Sequence, residues 1–190
     1  MSDNRTLNGS NITGRKRNNE FDFYETPKWA TEKVIEALLT DGLINKYEEI
    51  YEPCVGAGAI SDVLQIYGFE NLKCSDIQTA EYIKGDKGLD IYDVEDDVCD
   101  VVFTNPPYNL MTLKENKGGS LLKEFLRISR HKVILLLNIF FLSSKDRKQL
   151  LEESHLRHLY IHSDRVTMFP YGEEKPKKWW NKNVRLVCLG

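Results

Sequence analysis

The sequence has no apolar run that could cross a membrane. A span needs about 20 predominantly apolar residues. The longest run, Val133 to Leu137, is broken by Asn138 before Ile139, Phe140, Phe141 and Leu142. The first twenty residues, Met1 to Glu20, have no apolar stretch either, so no secretion signal is expected there. Cysteine is sparse. The four present, Cys54, Cys74, Cys99 and Cys188, are far apart and form no CxxC pair. That spacing argues against a metal site. Their places in or beside strand-like runs predict buried, reduced thiols in a cytoplasmic protein. Charge of one sign is also missing. The formal net charge is -3, which excludes a generic polyanion binder and leaves any nucleic-acid contact to local patches.

What is present is an ordinary globular composition, with 190 residues, 41% hydrophobic and 29% charged. A domain of this size buries roughly 70% of the surface its unfolded chain exposes. Residues 1–20 hold Asn, Ser, Gly and Arg and almost nothing apolar, which predicts a disordered polar tail. Its Arg15-Lys16-Arg17 cluster is either solvated or a weak phosphate-contacting arm. Residues 21–190 read as a single domain without an internal repeat.

Within that domain strand and helix signals alternate. Thr26-Pro27 reads as a helix cap followed by a first-turn proline, ahead of apolar residues Trp29, Val34, Ile35, Leu38 and Leu39 at helical spacing. Ile50 to Cys54 reads as a short buried strand, Ala59 to Tyr67 as a helix, and Leu72 to Ile77 as a second strand. Val98 to Phe103 is a strand stopped by two prolines, and Leu121 to Ile128 an amphipathic helix. Val133 to Leu142 is expected to be a central strand with its exit. Ser144 to Glu153 reads as a helix capped by Ser143 or Ser144, and Leu156 to His162 and Val184 to Leu189 as two late strands. The alternation predicts a parallel or mixed α/β sheet covered on both faces.

Four signals carry chemistry. The first is Glu52-Pro53-Cys54-Val55-Gly56-Ala57-Gly58, a strand running into a glycine turn and a helix. Glycines let the backbone turn tightly and let a ligand come close, and open α/β sheets bind ligands at such strand ends. The third glycine of the dinucleotide fingerprint is absent, with Ile60-Ser61 nearby instead, so alone the turn also fits a purely structural role. The second signal is Asp76, followed by Ile77, at the end of the next strand. A carboxylate there can accept from both hydroxyls of a ribose. The third is Asp90-Ile91, where an acid can accept from an adenine amino group and an apolar side chain can cover the ring. Asp93, Asp96 and Asp97 stand close by as alternatives.

The fourth and most specific signal is Asn105-Pro106-Pro107-Tyr108 at the end of a strand. Two prolines fix the backbone and leave carbonyls without neighbouring amide donors. The Asn105 side-chain oxygen and the Pro106 carbonyl can then accept both hydrogens of a planar amino group. That contact draws the nitrogen lone pair out of conjugation. Tyr108 offers a flat face on which an aromatic base can stack.

With these four in order, residues 21–189 resemble the Rossmann-like S-adenosylmethionine-dependent methyltransferases, in particular small phage and bacterial N6-adenine DNA methyltransferases. The resemblance extends to Phe23-Tyr24-Glu25-Thr26-Pro27 and to Arg165-Val166-Thr167-Met168-Phe169. It implies a doubly wound, mixed seven-stranded sheet with an antiparallel last strand. It implies that Tyr24, Thr26 and Pro27 lie near the methionine end of the cofactor, and that the turn residues Glu52, Pro53, Cys54, Gly56 and Gly58 also bind it. Asp76 with Ile77 would hold the ribose end, Asp90 with Ile91 the adenine, and Asn105 the reacting centre. Phe169 would help to form the target-base pocket.

The sequence departs from that family in two ways. Glu52 stands where many members have Asp. No stretch is long enough for a separate target-recognition domain, since between Tyr108 and Val133 lies only one helix with its flanks. The sizeable insertion is 171–183, containing Lys175-Pro176-Lys177-Lys178-Trp179-Trp180. Lysines interleaved with tryptophans fit phosphates and bases, or the tryptophans fold back onto the domain. Recognition would then rest on this loop, a partner protein, or self-association.

The expected reaction is direct methyl transfer to the N6 of adenine in DNA, without a metal or a covalent enzyme intermediate. No cysteine lies in the Asn-Pro-Pro-Tyr turn to serve as a nucleophile. The four histidines, His131, His155, His158 and His162, lie outside the motifs and are expected at the surface or at helix ends. Adenine in RNA and a protein glutamine are alternative acceptors for the same turn. A rival of another class is a non-catalytic protein that keeps the fold and binds nucleic acid or a partner.

Overall fold

The computed structural model describes residues 24–111, 120–143, 145–164, 166, 168–170 and 184–189. In chain order the elements are β1 (Tyr24–Glu25), α1 (Lys28–Thr40), β2 (Ile50–Glu52), α2 (Ser61–Ile66), β3 (Leu72–Asp76) and β4 (Asp86–Lys87). They continue with β5 (Cys99–Thr104), α3 (Leu121–Ile128), β6 (Ser129–Asn138), α4 (Lys145–Glu153), β7 (Leu156–Tyr160), β8 (Phe169–Pro170) and β9 (Val184–Leu189). The expected tail of residues 1–20, with Arg15, Lys16 and Arg17, lies outside the described residues. So do Ser144 and the 171–183 insertion with Lys177, Lys178, Trp179 and Trp180.

Seven strands form one sheet in the order β4-β3-β2-β5-β6-β9-β7. The first five are mutually parallel, with Ile50 opposite both Leu72 and Val101, and Val102 opposite Val133. β9 runs antiparallel between β6 and β7, with Ile134 and His158 on either side of Cys188. β1 and β8 form a separate antiparallel ribbon.

Parallel strands in the middle of a sheet are buried on both faces, so their sequences run continuously apolar instead of alternating. β6 illustrates this. Ile134 and Leu136 enter one core with Val34, Ile35 and Leu38 of α1 and Val63 and Leu64 of α2. Val133, Leu135 and Leu137 enter the opposite core with Leu122, Phe125 and Ile128 of α3. In β5 a register shift between Cys99 and Val101 moves Cys99 to the side of Val102, while Val101 and Phe103 face the other core. A bulge of this kind reverses which face a side chain meets. Phe103 is fully enclosed, and its truncation to alanine would cost about 3–5 kcal/mol.

Several boundaries differ from the sequence reading. Pro27, and not Thr26, occupies the cap of α1, with no side-chain cap bond because proline has no side-chain acceptor, and the Thr26 hydroxyl accepts from Asn105 instead. α2 begins at Ser61 instead of Ala59, since the glycine turn continues through Ile60. β6 begins four residues early, at Ser129. Its charged residues are neutralised at the sheet's amino end: Arg130 pairs with Asp100 and Glu49, and Lys132 pairs with Glu48 at 2.7 Å. Ile139–Ser143 is a 3-10 turn and not a continuation of the strand. Among the described residues no helix is long and apolar enough to cross a membrane.

Candidate cofactor and amino-group site

The site lies at the carboxyl ends of β2, β3 and β5, three adjacent parallel strands. β2 ends in Glu52, and the chain then enters the turn in which Gly56 and Gly58 have φ of +52° and +89°. That left-handed region is open to glycine at little cost. The turn is pinned from both sides. Val55 donates its amide to the Ser75 carbonyl at 3.0 Å, and Lys84 donates its amide to the Gly56 carbonyl at 3.0 Å. The Lys84 side chain crosses the turn to pair with Asp62 at 2.5 Å. A Cβ at Gly58 would stand 2.3 Å from Lys84 Cδ.

Asp76 terminates β3 and is 6% exposed. One carboxylate oxygen accepts from the Gly56 amide at 2.9 Å and the other from the Gln78 amide at 2.9 Å. A carboxylate has about four acceptor sites, so two remain for a pair of vicinal hydroxyls. Ile77, next in sequence, is 53% exposed and offers apolar surface at the strand end. Asp90 is drawn close because Leu89 donates its amide to the Asp76 carbonyl at 3.2 Å. The Asp90 side chain accepts from the Tyr92 amide at 3.1 Å and so caps a short 3-10 turn. Ile91 packs into the α3-side core, and the exposed apolar side chain here is Ile77.

Glu52 is enclosed, and burial pushes its carboxyl well above the usual carboxylate range, against the opposing hydrogen bonds of the Ser61 amide and hydroxyl. Burial likewise raises the Cys54 thiol, and raises those of Cys74 and Cys99 to about 12 each. Such thiols stay protonated near neutral pH and are poor nucleophiles. Pro53, beside Cys54, begins the turn that leads to Gly56.

Asn105 follows β5 and is half-buried. Its Nδ2 donates to Thr26 Oγ1 at 3.1 Å and lies 3.5 Å from Met168 Sδ, and its Oδ1 accepts from the Tyr108 hydroxyl at 3.1 Å. Pro106 is buried and Pro107 half-buried. The Pro107 carbonyl is taken by the Leu110 amide at 3.0 Å, which closes the turn. The ribbon of β1 and β8 pairs Tyr24 with Pro170 and Glu25 with Phe169. It thereby brings the Thr26-Pro27 segment and the Met168-Phe169 segment, distant in sequence, to the same asparagine. The side chains of Tyr24 and Phe169 lie outside the described residues, as do Arg165 and Thr167.

Two contributors carry little signal in the sequence. Met168 reads as an ordinary apolar residue, and only its place between Val166 and Phe169 in the Arg-Val-x-x-Phe element marks it. Lys84 has no local signal at all. Among the described residues no group of three or more His, Cys, Asp or Glu is arranged to hold a metal ion.

By sequence alone the chain matches no family model and no curated protein. In structure it is similar to a proposed RNA methyltransferase from Pyrococcus horikoshii, with a TM-score of 0.62, 16% identity, and coverage of 89% of this chain and 86% of that one. It is similar to a proposed class I S-adenosylmethionine-dependent methyltransferase from Listeria monocytogenes, with a TM-score of 0.56, 13% identity, and coverage of 87% and 60%. It is also similar to the 1,6-didemethyltoxoflavin-N1-methyltransferase of Burkholderia thailandensis bound to S-adenosylhomocysteine, with a TM-score of 0.55, 10% identity, and coverage of 85% and 76%. The resemblance is one of fold: a sheet with five adjacent parallel strands flanked by helices, of the kind found in S-adenosylmethionine-dependent methyltransferases.

Proposed function

We propose that this protein transfers a methyl group from S-adenosylmethionine to the exocyclic N6 of adenine in DNA. The observation that carries the reading is Asn105, held by Thr26 and Tyr108 at the end of β5, two strands along the sheet from Asp76 with its Gly56 contact. The residues present fit the cofactor. Asp76 has acceptor capacity left for the ribose hydroxyls, Ile77 offers an apolar face, and Asp90 would accept from the adenine amino group. The glycine turn of Gly56 and Gly58, which follows Glu52, Pro53 and Cys54, would let the cofactor come close to the backbone. When bound there, the cofactor supplies an electrophilic methyl on a sulfonium.

The protein's own part is orientation. A base in a duplex must be flipped out to reach this site. Its amino group would donate to Asn105 Oδ1, in place of the Tyr108 hydroxyl, and to the Pro106 carbonyl. The Tyr108 ring would stack on the base, with Pro107 fixing the turn between them, and Phe169 would close the base pocket. Acceptors aimed at charge that develops on the nitrogen stabilise the transition state more than the ground state. Lys177 and Lys178 would meet phosphates, and Trp179 and Trp180 would stack on or wedge between bases.

The Thr26-Pro27 segment ahead of the glycine turn supports DNA over RNA. RNA is the second reading, because the similar Pyrococcus horikoshii protein is described as an RNA methyltransferase and single strands need no separate recognition domain. The test is methyl transfer from labelled S-adenosylmethionine to unmethylated DNA, to RNA and to a release-factor peptide. Label in DNA as N6-methyladenine is expected. Label in RNA or peptide alone would overturn the DNA assignment, and binding of the cofactor without transfer to anything would favour the non-catalytic rival.

A further inference from the structure

An asparagine side chain has two ends of opposite hydrogen-bonding sense, and only its oxygen can receive an amino group. The orientation of Asn105 is therefore part of the chemistry. Its neighbours are Thr26 Oγ1 at 3.1 Å and Met168 Sδ at 3.5 Å on one side, and the Tyr108 hydroxyl at 3.1 Å on the other. A hydroxyl can donate or accept, so Thr26 and Tyr108 would each tolerate either end of the amide. A thioether sulfur carries no proton and can only accept. Of these three neighbours it is the one that distinguishes the two ends. With the amide reversed, Oδ1 would face the sulfur lone pairs with no proton between them.

We infer that Thr26 and Met168 are positioning residues: the Met168 sulfur selects the orientation in which Nδ2 of Asn105 points inward, and the Thr26 hydroxyl anchors that end, so that Oδ1 is presented to the target amino group. The inference rests on the reading that Asn105 receives that group. Both residues are set firmly enough for the role. Thr26 is 5% exposed, which limits competition from water. Met168 packs against the core that contains Val34, Phe103 and Val166. The short ribbon of β1 and β8, outside the main sheet, ties the segment before Thr26 to the segment after Met168. The Tyr108 hydroxyl then acts as a placeholder that satisfies Oδ1 until a target amine replaces it.

The experiment compares wild type with Thr26→Val, Thr26→Ser and Met168→Leu. Leucine keeps the bulk of Met168 and removes its acceptor. Serine keeps the hydroxyl of Thr26 and valine does not. Loss of one hydrogen bond predicts a kcat about three- to tenfold lower for Thr26→Val and Met168→Leu. The KM for DNA should stay within about twofold, Met168→Leu should also leave the Kd for S-adenosylhomocysteine within about twofold, and Thr26→Ser should recover most of kcat. Thermal melting identifies a variant that fails to fold. Should Met168→Leu do so, the serine and valine pair decides. A second readout is independent of turnover. In 15N-labelled protein, the side-chain amide signals that vanish in Asn105→Ala should shift in both Thr26→Val and Met168→Leu, without any substrate. Unshifted amide signals together with wild-type kcat in these variants would overturn the inference. A wild type that methylates no adenine, with the amide signals still shifting, would instead remove the adenine reading and with it the catalytic meaning of the clamp.

Discussion

The Asp76 carboxylate accepts the Gly56 amide at 2.9 Å, so the acid ending β3 and the glycine turn after β2 form one unit. Its other oxygen holds the Gln78 amide. An acid fixed by two backbone donors is already oriented before a ligand arrives, which lowers the entropic cost of binding.

Replacing Asp76 with alanine removes both the acceptor for the ribose and the tie to the turn. Hydrogen bonds to a charged group contribute about 1.5–3 kcal/mol. Affinity for S-adenosylhomocysteine, measured by calorimetry, should therefore fall by about ten- to hundredfold. Unchanged affinity would mean that the acid serves only the turn.

Glu52 gives a pH-dependent prediction. Burial raises its carboxyl in the folded protein well above the ordinary range. The folded state therefore keeps a proton that the unfolded chain releases at an ordinary carboxylate pKa. A group raised in this sense contributes fully below its unfolded pKa, and its contribution declines as pH rises towards the folded value. The decline is about 1.4 kcal/mol per pH unit within that window. Glu52→Gln has no proton to lose. Melting temperatures should show the glutamine variant gaining on wild type between about pH 5 and pH 7. A constant difference across that range would show that Glu52 titrates normally.

Two glycines should respond differently to alanine. At Gly85, φ is +75° and a Cβ would stand 2.2 Å from the Cys74 carbonyl oxygen, part of the β3 backbone. Relief there requires moving a strand, so Gly85→Ala should cost about 2–4 kcal/mol in urea unfolding. At Gly58 the colliding atom is Lys84 Cδ, the flexible arm that reaches Asp62. That arm can swing away, leaving mainly the backbone cost of about 1–2 kcal/mol. The reverse ranking would contradict the geometry of both turns.

Much of the site was legible because each part ends an apolar strand with a distinctive residue. Ile50 to Glu52 runs into Gly56, Leu72 onward into Asp76, and Val101 to Thr104 into Asn105. What was not legible depends on partners far away in sequence. Arg130 and Lys132 do not look like strand residues, yet they stand in the opening of β6 because Asp100, Glu49 and Glu48 receive their charges. Thr26 has the form of a helix cap, and only the fold reveals that Asn105, 79 residues away, takes its hydroxyl. Ile91 and Ile77 both follow an acid, and hydropathy alone does not tell which side chain enters the core and which faces out. The two-residue strands β1, β4 and β8 are too short for any periodicity to register.

The most direct test of the central claim is to incubate wild type and Asn105→Ala with S-adenosylmethionine and unmethylated DNA, and to identify the modified nucleoside by mass spectrometry. N6-methyladenine should form with wild type and fall by about a hundredfold or more with Asn105→Ala, the scale seen when one aimed transition-state contact is removed. N6-methyladenine formed equally well by Asn105→Ala, or a methylated product other than adenine, would contradict the role assigned to that asparagine.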